Sequence, residues 1–173
     1  MIAAVVLAAG AATRFGSPKQ RLLVDEVVAR ARASRELGAV VVVAGAYELE
    51  AEAPVVSCPE WELGPGASLR CGLAALPPET EAAVVLLADG PEVAPAAIDR
   101  VVEAWRARGD DVFAASYGGV RGHPVLLARA AWASVPDEGA RALTPVLVPC
   151  DDLGAPGDVD YPEDLPERLR AES

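Results

Sequence analysis

The sequence predicts an α/β fold built on a mostly parallel sheet. Three observations lead there: continuous apolar runs bounded by turn residues, segments of helical spacing between them, and glycines where helices should close. The apolar runs fall at residues 2–8, 39–44, 54–58, 82–88 and 112–116. None alternates with polar residues, so each is expected as a strand covered on both faces. Helical spacing predicts helices over 20–37, 67–76 and 95–108, with Gly38 and Gly109 at C-cap positions. After Tyr117 the rhythm changes. The stretch "GGVRGHPVLLA" predicts a turn and a strand, 130–133 and 138–143 predict short helices, "TPVLVPC" a further strand, and "YPEDLPERLR" a closing amphipathic helix. One domain over residues 1–173, with a small β-rich insertion in its second half, accounts for this order.

Composition narrows the function classes. The formal net charge of −11 opposes non-specific binding to nucleic acid or to an anionic membrane, while leaving room for a small anion held by local cations. The apolar start is too short to span a bilayer, and no basic residue precedes it as in a signal peptide. A cytoplasmic protein, monomeric or weakly oligomeric, is therefore expected. Cys58, Cys71 and Cys150 have no zinc or redox-motif spacing, and buried free thiols are the expectation for all three.

Lys19 is the lone lysine beside fourteen arginines. It closes the loop "LAAGAATRFGSPKQ" that follows the first predicted strand, where open parallel sheets gather ligands. Gly10 and Gly16 admit backbone shapes that present amide N–H groups to phosphate oxygens, and small Ala9, Ala11 and Ala12 allow close approach. Neither Gly-x-Gly-x-x-Gly nor the Walker pattern is present. Arg14 supplies a planar fork and Lys19 a compact charge, a combination suited to a triphosphate. Asp89 follows the run "AAVVLLA" and should project from the carboxyl end of a central strand, where a hard carboxylate suits Mg²⁺.

This loop resembles the signature LAAG-x-x-x-R-[FM]-G-x-x-K of the MobA-like nucleotidyltransferases, and within them the molybdenum cofactor cytidylyltransferase branch. Five further stretches follow in family order: "CPEWELGPGASLRCGL", "LLADGPEV", "RGHPVLLARAAW", "DEGARAL" and "DVDYPEDL". The resemblance implies a three-layer α/β/α, Rossmann-like fold of the nucleotide-diphospho-sugar transferase kind. It implies nucleotide binding by Leu7, Ala8, Ala9, Gly10, Arg14, Lys19 and Ser68, with Arg14, Lys19 and Asp89 catalytic. Asp89 and Asp160 are the implied Mg²⁺ ligands, and Gly122, His123 and Pro124, beside Arg121, the implied acceptor strand.

The implied activity is transfer of CMP from CTP to a phosphorylated small molecule, molybdopterin by resemblance, with release of pyrophosphate. Guanylyl transfer, or transfer to a sugar or acid phosphate, is the alternative within the fold. A drifted nucleotide-binding module without turnover is the alternative of another class. Departures from the family pattern are Cys58 for asparagine, Pro136 for glycine, Tyr161 for threonine, and a shortened stretch after Lys19. His123 is the single histidine, so a multi-histidine metal site is excluded.

Overall fold

The computed structural model describes residues 1–10, 17–159 and 162–170, giving the backbone alone for 17–20 and 162. The first apolar run forms β1 (Ile2–Leu7) and is followed by α1 (Ser17–Arg32), β2 (Ala39–Ala44) and β3 (Val55–Ser57). Next come α2 (Pro65–Ala74), β4 (Ala82–Leu87), α3 (Pro95–Arg108), β5 (Val112–Tyr117), β6 (Val120–Ala128), β7 (Val146–Pro149) and α4 (Glu167–Arg170). Among the described residues seven strands form one sheet in the order β3-β2-β1-β4-β6-β5-β7, with only β6 antiparallel to its neighbours. The β-rich stretch after Tyr117 thus joins the main sheet.

Both faces are covered, which is why the strands read as unbroken apolar runs. Ile2, Ala4 and Val6 of β1 face α1 and α3 through Val24, Val27, Val28, Ile98 and Val101. Ala3 and Val5 face the other way, toward Leu69 and Leu73 of α2. Gly72 is needed there, because a Cβ on it would stand 2.5 Å from the Val5 side chain. The β5–β6 turn uses Gly118 and Gly119 at φ 59° and 77°, a two-residue connection whose twist matches the hairpin.

Several element ends differ from expectation. Helix α1 stops at Arg32, five residues before the predicted 37. The Ser34 hydroxyl accepts from the Glu36 N–H and donates to Asp99 at 2.6 Å, bonds that compete with continued helix. Gly38 is consequently no helix cap; its N–H donates to the Ile2 carbonyl. Gly109 does close α3, at φ 77° with its N–H on the Trp105 carbonyl. At the C-terminus a turn at Pro162–Asp164 and the four-residue α4 replace one amphipathic helix, with Pro166 between them. Val159, Leu165 and Leu169 there pack with Leu23 of α1.

Free thiols were expected at all three cysteines, yet Cys58 and Cys71 form a disulfide. They are 13 residues apart in sequence, but the turn after β3 and α2 bring their Cα atoms to 5.8 Å. Cys150 is the expected buried free thiol. Among the described residues no helix is long and apolar enough to cross a membrane.

Asp99 is 6% exposed and receives the Ser34 hydroxyl, the Arg35 N–H and the Arg35 guanidinium, which fixes the turn after α1 to α3. Asp99→Ala should cost about 2 kcal/mol of stability, because it strands a buried hydroxyl and an amide. Urea unfolding of the two proteins measures this, and an equal midpoint would contradict the role.

Candidate active site

Strands β1 and β4 are parallel neighbours with Leu7 opposite Leu87, and the Ala88 N–H donates to the Leu7 carbonyl at 3.0 Å. The chain therefore leaves both strands side by side at one edge of the sheet. The Ala8 N–H is held by the Val43 carbonyl at 2.9 Å, so β2 anchors the loop from its other side. Leu7 and Ala8 are half-buried and Ala9 is 3% exposed, whereas Gly10 is exposed. A Cβ at Gly10 would meet nothing within 4 Å, so the space beside its backbone is open. Arg14 and Asp160 lie outside the described residues. Lys19 falls in the first turn of α1, of which the backbone alone is described.

Asp89 leaves the end of β4 half-buried. Its carbonyl accepts the Val159 N–H at 2.8 Å, and the Pro156 carbonyl accepts the Glu92 N–H at 3.1 Å. Two backbone bonds thus lay the segment before residue 160 across the aspartate's loop. Gly90 makes room for it: a Cβ there would sit 3.2 Å from Pro156. Arg168 of α4 adds ion pairs to Glu92 at 2.7 Å and Glu26 at 2.8 Å, joining this loop to α1. Arg168 was not legible as part of the site, since exposed arginines abound in the sequence.

Residues 121–124 of β6 reach the same edge because β6 runs opposite to β4 and β5. Val125 pairs with Val85, and Arg121 with Ser116, so residues 121–124 lie beyond the paired stretch of β4. The Tyr117 ring covers Gly122, where a Cβ would stand 2.9 Å from it. The Tyr117 hydroxyl donates to the His123 carbonyl at 2.7 Å, and burial pushes its pKa up to about 12. Arg121 donates to the carbonyls of Ala140, Arg141 and Leu143, tying β6 to the turn at Ala140–Ala142. Burial first, and the Arg121 charge second, bring the His123 pKa down to about 4. The imidazole is neutral at neutral pH and can both donate and accept. Pro124 is buried.

Ser68 is 3% exposed. The helix end before it is less open than the glycine-rich turn suggests. The Gly66 N–H is taken by the Asp137 carbonyl at 2.9 Å, and a Cβ on Gly66 would collide with the Pro136 carbonyl. Asp137 also pairs with Arg70 at 2.6 Å, so the segment carrying Asp137 and Arg141 supports α2 and β6. A cavity of about 540 Å³ beside Arg70, Leu73, Leu76, Arg129 and Trp132 lies toward the amino ends of the strands.

An open, mostly parallel α/β sheet in which the chain leaves β1 at Gly10 and β4 at Asp89 side by side is the frame of a nucleotidyltransferase. Residues 4–146 match the MobA-like NTP transferase domain, and the chain belongs to that family. Rv0371c from Mycobacterium tuberculosis H37Rv is similar in structure, with 27% identity and a TM-score of 0.74 over 97% of this chain and 96% of that one. The manganese complex of Rv0371c is likewise similar, at 25% identity and a TM-score of 0.69 over 97% of this chain and 96% of that one. A CMP:2-keto-3-deoxy-manno-octonic acid synthetase complexed with CTP shares the fold at 13% identity and a TM-score of 0.69, over 99% of this chain and 97% of that one. No curated protein matches the sequence.

His123 should leave a pH signature. Its folded pKa of about 4 lies below the ordinary 6.5, so the unfolded chain binds the proton more readily between those values. The associated stability is complete above about pH 6.5 and is lost as pH falls toward 4, up to about 3 kcal/mol. His123→Asn should flatten the fall in Tm over that window relative to the unaltered protein. Parallel Tm profiles would remove the assignment.

Proposed function

We propose that this nucleotidyltransferase moves CMP from CTP to a phosphorylated small-molecule acceptor of the molybdopterin type, releasing pyrophosphate, with residues 1–173 acting as one domain. The observation that carries the reading is the β1–β4 pairing, which sets the glycine loop and the Asp89 loop at one edge. CTP as donor is supported by the LAAG form of the loop and by the CTP complex of the synthetase that shares the fold. The acceptor class is what the resemblance of the motifs, "RGHP" among them, to the molybdenum cofactor branch implies.

In this reading the Gly10 amide, Arg14 and Lys19 hold the triphosphate and offset the charge that gathers on it during transfer. An acceptor phosphate oxygen attacks the α-phosphorus, the bond to the β-phosphate breaks, and pyrophosphate departs. Neutral His123 and the Tyr117-backed Gly122 position the acceptor without adding charge. Ser68 offers a hydroxyl to the nucleotide. Catalysis is positioning and electrostatics, and no side chain needs to become covalently attached.

The donor set fits Mg²⁺: one or two carboxylates plus substrate phosphates and water are its ordinary ligands. Asp89 supplies a hard oxygen from a half-buried loop, and Asp160 is assigned as the second ligand. When bound, the cation neutralises phosphate charge and orients the reacting phosphorus. The manganese complex of Rv0371c supports a divalent ion here.

Pyrophosphate release, measured with a panel of nucleoside triphosphates and phosphorylated acceptors, should be greatest with CTP. Binding with no release for any pair would favour the module without turnover; strongest release with GTP would favour the guanylyl alternative. Lys19→Ala should lower kcat/KM about 100-fold or more while leaving thermal unfolding cooperative. Asp89→Ala and EDTA should each abolish turnover, with Mg²⁺ restoring only the EDTA-treated enzyme. Unchanged rates in these variants would overturn the assignments.

A further inference from the structure

Nucleotidyl transfer has no use for a cystine, yet Cys58–Cys71 sits in the wall that backs the nucleotide loop. We propose that this disulfide is a thiol–disulfide exchange site, opened at Cys71 by a dithiol reductant, and that opening it weakens nucleotide binding. The exchange itself is independent of the proposed function; the effect on affinity rests on it.

The two cysteines differ in exposure. Cys58 is 1% exposed, whereas Cys71 is half-buried on α2. An incoming thiolate therefore meets Cys71 first. The other sulfur has a destination when released: Cys58 Sγ lies 3.5 Å from the Ala67 carbonyl, which can accept a hydrogen bond once Cys58 carries a proton. Both oxidation states are thus accommodated where the residue already stands. Cys150 does not compete. It is fully buried at the end of β7, the sheet edge opposite β3, and burial raises its pKa.

The exchange balances as written. One thiolate of the dithiol attacks Cys71 Sγ and bonds to it as the Cys71–Cys58 bond breaks, and Cys58 leaves as a thiolate that takes up a proton. The second thiol of the reductant, deprotonated, then attacks its own sulfur in the mixed disulfide. Cys71 departs and is protonated in turn. Two electrons have passed to the protein and the dithiol has become a disulfide.

Packing carries the consequence to the nucleotide. Cys58, Leu69 and Leu73 share one apolar cluster with Ala9, and Leu7, Trp61 and Cys71 pack against it. Gly45 lies between Trp61 and the Ala9 carbonyl so tightly that a Cβ there would approach both within 3 Å. The cystine thus holds the turn at Trp61–Leu63 and the first turns of α2, which carry Ser68, in one arrangement behind the loop. Opening it releases that restraint and makes ordering on nucleotide binding more costly.

The full chain, oxidised or treated with dithiothreitol under native conditions, provides the test through thiol alkylation with mass spectrometry, amide hydrogen exchange, and calorimetry with CTP and Mg²⁺. Two alkylatable thiols should appear on reduction, and Tm should fall by roughly 10 °C, as expected for removing a cross-link over so short a loop. Exchange across residues 58–74 should accelerate, and CTP affinity should drop at least about fivefold, the lower end of ordinary coupling between sites. Cys71→Ser should show the reduced values with or without dithiothreitol, and Cys58→Ala should match it. A bond that resists native reduction, or one that opens with exchange and affinity unchanged, overturns the proposal. If neither form binds any nucleotide, the nucleotide reading fails instead, and alkylation with amide exchange still decides the thiol site.

Discussion

The parallel pairing of β1 with β4 is the constraint on which the rest of the molecule depends. It aligns Leu7 with Leu87 and ends in the bond from the Ala88 N–H to the Leu7 carbonyl. With that bond the pairing of β1 with β4 ends, and both chains leave the sheet at the same edge. Burial enforces the register: moving β1 by one residue would exchange the faces presented by Val5 and Val6, each 0% exposed against a different layer.

Around this edge the structure adds support from segments distant in sequence. The C-terminal stretch bonds to the Asp89 and Glu92 backbones and rests on Leu23 of α1, while Arg168 joins Glu26 to Glu92. From the other side, the antiparallel course of β6 brings residues 121–124 to this edge, where burial and the nearby Arg121 charge hold His123 neutral. The turn carrying Asp137 caps α2 through the Gly66 amide and holds Arg70. A chain with a net charge of −11 concentrates these cationic contacts where they brace loops and strand ends.

The disulfide shows how spatial neighbours can escape a reading of spacing. Cys58 and Cys71 match no redox motif, and an odd number of cysteines favours free thiols. Only the packing of α2 against β1 and β2 brings Cys71 of the helix next to Cys58 after β3. The premature end of α1 has a similar origin: Ser34 becomes a helix stop because Asp99, from another helix, is waiting for its hydroxyl.

The sequence by itself determined the strand runs, the mostly parallel sheet, the left-handed cap at Gly109 and the positions of the glycine loop and Asp89. These are local signals, written in apolar periodicity and in glycine's freedom of backbone angle. Tertiary structure alone decided that the Asp89 loop leaves the sheet beside the end of β1, that Val159 binds its backbone, that His123 is held neutral, and that two cysteines join. Each of those depends on which strands become neighbours and how deeply a group is desolvated. Such quantities arise from contacts between residues far apart along the chain, and no window of sequence contains both partners.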